Sequence, residues 1–199
     1  VRNLQPYQAG KPIEELEREL GITDIIKLAS NENPLGLSPK VRAALQETLA
    51  GLARYPDAHG FYLKSKLAKK FALDVAQITL GNGSNDVLEL IARTFVNDEH
   101  EVIYSQHAFV VYPLVTQAIG AKGIAVPAKD YGHDLDAMLA AVGPKTRMIF
   151  IANPNNPTGT FLTTDELAAF LAKVPENVLV ILDEAYSEYV SEADRAPSF

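Results

Sequence analysis

The chain has 199 residues, a net charge of −7 and a hydrophobic fraction of 47%, which is typical of a globular protein with an ordinary core. The negative charge argues against a nucleic-acid partner, and no apolar run approaches the ~20 residues that a membrane span requires. Cysteine is absent and the four histidines are scattered, which excludes disulfides, a catalytic thiol and a recognisable metal site.

The first part of the chain is predicted to be an extended arm followed by short elements. Prolines and glycines interrupt residues 1–11, a helix is expected over residues 12–20 and a short strand over residues 25–29. Residues 30–36 form a polar turn, whose side chains by themselves indicate Asx-turn chemistry. The next helix begins at Ser38. Its predicted core face consists of Val41, Leu45, Leu49 and Leu52.

A tyrosine that precedes a proline follows this helix. The residue before a proline is held extended, so the phenol of Tyr55 is able to project away from the local fold. The pattern alone is equally that of an ordinary loop tyrosine. A further helix is predicted over residues 61–71.

A glycine-bearing turn between a strand and a helix is the first feature that indicates a ligand. Residues 77–80 are predicted to be a strand, residues 81–86 the turn, and residues 87–95 an amphipathic helix. Glycines let backbone N–H groups approach a phosphate, and a helix N-terminus adds positive potential. Asp86 stands where the dinucleotide fingerprint requires its third glycine. The turn therefore favours one small phosphate monoester, although the pattern alone is a weak signal.

The middle of the chain is predicted to contain two more strands and a helix. The strands are expected over residues 101–104 and 123–127, and the helix over residues 135–142. Phe109 and Tyr112 lie between the strands. From the pattern alone they are core aromatics of a following helix.

A strand–helix–strand unit carries the most informative residues. Residues 148–152 are an apolar run that ends in a turn with two prolines, a helix opens at Thr163, and residues 178–182 form a second buried strand. These strands deliver Asn156 and Asp183 to the carboxyl edge of the sheet, where ligands bind in open α/β folds. An amide donor beside a carboxylate suits a planar heterocycle with a phenolic oxygen and a ring nitrogen, as in pyridoxal phosphate. The alternatives are a tight turn and a helix cap.

These motifs together resemble one enzyme family. Asn155-Asn156-Pro157-Thr158-Gly159 followed by Asp183-Glu184-Ala185-Tyr186 is similar to the fold-type I pyridoxal-phosphate aminotransferases. Residues 30–36, residues 54–57 and residues 81–86 fall in the order of the histidinol-phosphate aminotransferase branch. The resemblance covers nearly the whole chain and implies a three-layer α/β/α large domain with a mainly parallel sheet.

The resemblance also implies roles for individual residues. Asp183 and Tyr186 would be catalytic, with Asp183 facing the pyridine nitrogen and Tyr186 bonding the phenolic oxygen together with Asn156. The cofactor would further contact Ser84, Asn85, Asp86, Phe109 and, from the partner subunit of a homodimer, Tyr55. The substrate would meet Tyr7 and Asn33.

The resemblance further implies a domain division and an incomplete site. Residues 1–36 would be the arm and part of a small domain, and residues 37–199 a cofactor-binding large domain without its last strands. The family's Schiff-base lysine follows the Asp-x-Ala-Tyr motif, whereas the last lysine here is Lys173. We therefore expect an N-terminal part of an aminotransferase that is inactive alone. No signal-peptide pattern opens the chain, so a cytoplasmic location is expected.

Three functions remain open at this point. The first is transamination of histidinol phosphate with 2-oxoglutarate in histidine biosynthesis. The second is an aromatic or other amino-acid aminotransferase, or a threonine-phosphate decarboxylase, of the same fold. The third is a non-catalytic fragment that binds the cofactor or a partner.

Overall fold

The computed structural model describes residues 10–191. The chain divides into two compact units between Leu80 and Gly81. The predicted domain boundary after residue 36 stays a prediction. Among residues 10–191, none of the helices has the length and hydrophobicity of a membrane-spanning segment.

The N-terminal unit contains three helices whose ends follow from the sequence. Helix α1 (Ile13–Leu20) stops at Gly21, which adopts a left-handed conformation with φ 65°. Helix α2 (Pro39–Thr48) is capped by Ser38, whose hydroxyl accepts a hydrogen bond from the Val41 amide. Helix α3 (Phe61–Phe71) agrees with its predicted range. Short 3₁₀ turns lie at Leu49–Gly51 and Val75–Gln77.

Three expectations for this unit are wrong. Residues 25–29 and 77–80 form no strand, because no other segment of residues 10–191 pairs with them. The predicted core face of α2 is exposed, from 46% for Val41 to 70% for Leu52. Helical periodicity identified the apolar face correctly, but nothing in this unit buries it.

The C-terminal unit is an all-parallel sheet of four strands. The strands are β1 (Glu101–Ser105), β2 (Lys122–Val126), β3 (Thr146–Ala152) and β4 (Leu179–Asp183). Their order in the sheet is β2-β1-β3-β4. Each predicted strand of this unit is confirmed to within two residues.

Helices cover both faces of this sheet, as the predicted α/β class requires. The helices are α4 (Gly83–Phe95), α5 (Val111–Ile119), α6 (Leu135–Ala140) and α7 (Thr164–Leu171). Helix α7 begins after Thr163, where the sequence predicted a helix to open, and Thr163 and Glu166 form a capping box there. Helix α4 begins four residues earlier than predicted, so the polar stretch before Val87 is its first turn.

The strand side chains alternate between two core layers. Met148, Phe150 and Ala152 pack on the side that also holds Leu88 of α4 and Tyr112 of α5. On the other side, a second cluster contains Ile149 and Ile151 of β3, Met138 of α6, and Leu167 and Phe170 of α7. This period of two in a strand buried on both faces confirms the three-layer arrangement.

The strand order places a switch point between β1 and β3. After β1 the chain moves outward to β2 through α5, and it then crosses back past β1 to β3 through α6. The loops that leave β1 and β3 therefore run in opposite directions and open a crevice at the carboxyl edge. Ligands of doubly wound folds bind in such a crevice.

Candidate functional site

A pocket lies at the carboxyl edge of the sheet, bordered by the loops after β3 and β4 and by the first turn of α4. Its empty volume is about 280 Å³, counting the space at its mouth. The pocket is lined by Ser84, Phe109, Tyr112, Ala152, Pro154, Asn156, Asp183, Ala185 and Tyr186. The structure thus gathers residues that are far apart in the sequence.

The loop after β3 is held by the side chain of Asn153. Its Oδ1 accepts a hydrogen bond from the Leu162 amide at 2.7 Å, and its Nδ2 donates to the Leu162 carbonyl at 3.1 Å. Asn153 is 7% exposed, so these bonds form away from water. The Asn153 side chain thus holds the end of the loop, at Leu162, against its beginning.

Asn155 ties the same loop to the loop after β1. Its Nδ2 donates to the His107 carbonyl at 2.8 Å and to Thr158 Oγ1 at 2.7 Å. The backbone of Asn155 adds an N–H donation to the Thr160 carbonyl and accepts from the Gly159 amide, both at 2.8 Å. Asn155 therefore bridges the switch point.

Asn156 differs from these two asparagines. Its side chain lines the pocket and makes no hydrogen bond to any described residue. Because the bonds of Asn153 and Asn155 fix the loop to which Asn156 belongs, the side-chain amide of Asn156 is available to donate a hydrogen bond to a ligand.

Asp183 at the end of β4 has both carboxylate oxygens hydrogen-bonded. Oδ2 accepts from the Tyr112 hydroxyl at 2.8 Å, and Oδ1 accepts from the Ala185 amide at 3.2 Å. The Asp183 carbonyl also accepts from the Asn153 amide at 2.9 Å, which joins the ends of β3 and β4. The carboxylate thus has a fixed direction beside Asn156.

Tyr112 is a polar residue of the pocket, although its sequence pattern indicates only a core aromatic. Its ring stacks on Phe150 with centroids 4.6 Å apart and an angle of 2°, and meets Phe109 edge-on at 5.8 Å. Burial, and then the charge of Asp183, raise the pKa of the Tyr112 phenol far above its usual range. The hydroxyl is therefore a permanent donor. An apolar pattern contains no signal for this bond, which joins residues 71 positions apart.

The first turn of α4 forms another wall of the pocket. Gly83 has a φ of 75°, which starts the helix, and Ser84 lines the pocket. The carboxylate of Asp86 accepts from the Asn82 amide at 2.9 Å, which ties the first turn of the helix to the residue that precedes it. Neither Asn85 nor Asp86 lines the pocket.

The remaining predicted site residues lie elsewhere in the chain. Tyr55 is fully exposed in the N-terminal unit. Asn33, in the same unit, accepts from the Leu35 amide and donates to the Gly36 carbonyl, which is the Asx-turn that its pattern indicates. Tyr7 lies outside the described residues.

A second, larger cleft lies between α6 and α7. His133 lines this cleft, is 9% exposed and contacts the Ala152 carbonyl through Nε2 at 2.9 Å. Burial lowers the pKa of His133, so the ring is neutral near pH 7. Within residues 10–191, no cluster of histidine, aspartate or glutamate has the geometry of a metal site.

Comparison with known proteins identifies the family of this fold. The model of the family "Aminotransferase class I and II" matches residues 23–198. Histidinol-phosphate aminotransferase 1 of Idiomarina loihiensis is 69% identical over 198 residues, which is 100% of this chain and 54% of that protein. Histidinol-phosphate aminotransferase 2 of Pasteurella multocida is 61% identical over 199 residues, with the same coverage.

A solved structure agrees with these sequence relatives. The crystal structure of histidinol-phosphate aminotransferase from Sinorhizobium meliloti in complex with pyridoxal-5'-phosphate superposes with a TM-score of 0.87 at 30% identity. The match covers 95% of this chain and 52% of that one. The chain thus spans about half the length of the relatives it matches.

Proposed function

The chain belongs to the class I and II aminotransferases, and from this premise we propose that it forms the cofactor-binding part of a pyridoxal-phosphate-dependent enzyme. As part of a polypeptide of its relatives' length, it would transfer the amino group of histidinol phosphate to 2-oxoglutarate. The observation that carries the proposal is the placement of Asp183 and Asn156 on neighbouring strand ends, facing one pocket with Ser84. Its similarity to histidinol-phosphate aminotransferases over the whole chain supports the choice of amino donor.

The residues around the pocket fit the proposed cofactor. A pyridine ring with a phenolic oxygen and a phosphate needs an anion, a neutral donor and a helix N-terminus, and the pocket wall offers all three in Asp183, Asn156 and the first turn of α4. Pyridoxal phosphate supplies an electron sink that stabilises negative charge at the substrate carbon. The protein must therefore hold the ring and keep its nitrogen protonated.

Asp183 is proposed to keep the ring nitrogen protonated. Its carboxylate is held by hydrogen bonds to both oxygens and would face the ring nitrogen of the bound cofactor. A carboxylate held close to a pyridine nitrogen favours the protonated nitrogen.

Other residues of the pocket are proposed to hold the ring in place. Asn156 and Tyr186 would bind the phenolic oxygen, and Phe109 would stack on the ring face, where a phenylalanine lacks a polar tip. The Ser84 hydroxyl would bind the phosphate. The support for these roles is that each of these residues lines the pocket. Asn85 would contribute to the phosphate site from the same turn of α4. Asp86 would act near the edge of the pocket, where its carboxylate accepts a hydrogen bond from the Asn82 amide.

The exposed residues of the N-terminal unit are proposed to act in a homodimer. Tyr55 is fully exposed, which is consistent with a phenol that reaches the cofactor phosphate of a second subunit. Asn33 and Tyr7 are proposed to lie near the substrate. We place the enzyme in the cytoplasm.

The test compares D183N with D165N in the intact, cofactor-loaded protein. Asp165 is exposed in the first turn of α7, so D165N removes one negative charge away from the pocket. We expect D183N to lower kcat/KM with histidinol phosphate about a thousandfold, by analogy with the loss of other preorganised charges, and D165N to leave it unchanged. Equal activity of the two variants would contradict the role of Asp183. Faster turnover of an aromatic amino acid or decarboxylation of threonine phosphate would contradict the substrate.

A further inference from the structure

We propose that Tyr112 is a positioning residue that holds the Asp183 carboxylate in the direction required by the ring nitrogen. The inference rests on the proposed function, because it concerns the carboxylate that would face the cofactor. Asp183 receives one hydrogen bond from its own turn, through the Ala185 amide, and one from α5, through Tyr112. Only the second bond fixes the carboxylate relative to a different element of the fold.

The position of Tyr112 is set by packing rather than by its hydroxyl. The ring is 0% exposed and lies flat on Phe150 of the central strand β3, while Phe109 contacts it edge-on. Aromatic packing of this kind leaves a side chain little rotational freedom. The hydroxyl therefore approaches Asp183 from one direction, 2.8 Å from Oδ2.

The proton of this hydrogen bond stays on Tyr112. Burial disfavours the phenolate, and the neighbouring Asp183 charge disfavours it further, so the pKa of the phenol is raised. Tyr112 thus does not accept a proton from its surroundings or exchange roles with the carboxylate. It acts through Asp183 and, where it borders the pocket, through the orientation of Phe109.

A purely structural role is the competing explanation. A buried tyrosine needs an acceptor for its hydroxyl. In that case the hydrogen bond would only satisfy the Tyr112 hydroxyl and would not position the Asp183 carboxylate. The two explanations differ in what Y112F does. A structural role changes only the stability of the protein, whereas a positioning role changes the state of the bound ring.

The experiment uses the intact protein loaded with pyridoxal phosphate labelled with ¹⁵N in the ring. Y112F keeps both aromatic contacts and removes only the hydroxyl. Y104F is the matched control, because Tyr104 is a half-buried tyrosine of β1 that does not line the pocket. The measurements are the ¹⁵N shift of the ring nitrogen, the dissociation constant of the cofactor and the urea midpoint of the cofactor-free protein.

We expect Y112F to move the ¹⁵N shift toward the unprotonated value and to weaken cofactor binding about tenfold, since a hydrogen bond to a charged group contributes about 1.5 kcal/mol or more. Y104F should leave both unchanged. If Y112F alters only the urea midpoint, the positioning role is refuted while the proposed function stands. If the wild-type protein shows no protonated ring nitrogen, the proposed function itself fails.

A second measurement decides the matter if Y112F does not fold. In protein with ¹³C at the tyrosine Cζ atoms, the Tyr112 resonance should not titrate up to about pH 11, above the usual tyrosine pKa of about 10. The Y104F variant distinguishes it from the resonance of Tyr104, whose pKa is also raised by burial. Replacing the cofactor by a ring that lacks the nitrogen should shift the Tyr112 resonance, because Asp183 then has no ring nitrogen to face and its charge acts on Tyr112 alone. A Tyr112 resonance that titrates normally, or that ignores the ring nitrogen, would overturn the proposal.

Discussion

The hydrogen bonds between the Asn153 side chain and the Leu162 backbone predict how stability depends on one atom, Asn153 Nδ2. N153D preserves the shape of the side chain but replaces the Nδ2 donor by an oxygen that faces the Leu162 carbonyl at 3.1 Å. One hydrogen bond worth about 1 kcal/mol is lost, and a buried acceptor is left unsatisfied at a cost of about 2 kcal/mol. We therefore expect the free energy of unfolding to fall by about 3 kcal/mol at pH 7.

The pH dependence of this loss has a definite sign. The site is 7% exposed, so burial should raise the pKa of the introduced carboxyl above its unfolded value of about 3.9. The folded variant then binds a proton that the unfolded chain does not, and its stability decreases as pH rises. The deficit should be small near about pH 4, where the protonated carboxyl donates to Leu162, and should grow as pH rises through the folded pKa.

The assay is urea unfolding of the cofactor-free intact protein at several pH values. N177D is the matched control, because Asn177 is exposed and only its backbone carbonyl is used, by Arg147 at 2.7 Å. A deficit below about 0.5 kcal/mol for N153D, the range of ordinary surface substitutions, would refute the role assigned to the side chain. A deficit that widens on acidification would refute the geometry of the bond.

Two further predictions concern α4 and the second cleft. G83A should destabilise the protein by about 1 kcal/mol and weaken cofactor binding, because Gly83 has a φ of 75° that an L-residue adopts only with strain. The control is G51A, because Gly51 has no positive φ and has open space around it. G51A should change neither stability nor cofactor binding. Urea midpoints and cofactor titrations measure both, and equal behaviour of the two variants would contradict the strain argument. Because burial lowers the pKa of His133, its neutral form contributes stability that is present above the unfolded pKa of about 6.5 and is lost as pH falls through the folded pKa. In H133Q, the urea midpoint should no longer fall on acidification for this reason, whereas H59Q, at an exposed histidine, should keep the acid-dependent loss. An unchanged pH profile for H133Q would contradict the lowered pKa of His133.

The sequence predicted the C-terminal unit well because its local signals agree with the fold. The strands are apolar runs that end at turn residues, and the capping box of Thr163 and Glu166 marks the start of α7 in the sequence itself. The placement of Asn156 and Asp183 around one pocket follows from strands that end at the same edge.

The N-terminal unit was predicted less well because its elements depend on contacts that local patterns do not contain. The exposed face of α2 has the periodicity of a core face, but periodicity does not say what covers it. Residues 25–29 are apolar enough for a strand and have no partner among the described residues. The early start of α4 was missed because Ser84 and Asn85 are typical of turns, while the conformation of Gly83 allows the helix to begin before them.

The backbone hydrogen bond from the Asn153 amide to the Asp183 carbonyl has a consequence for how such a site changes over time. It makes the distance between the ends of β3 and β4 a property of the main chain, which substitution of neighbouring side chains does not alter. Side chains that do not line the pocket, such as the stacked pair His107 and Tyr131, are therefore able to vary while the spacing of the two strand ends is preserved. A fold organised in this way keeps the two strand ends at the pocket in register while its surface side chains change.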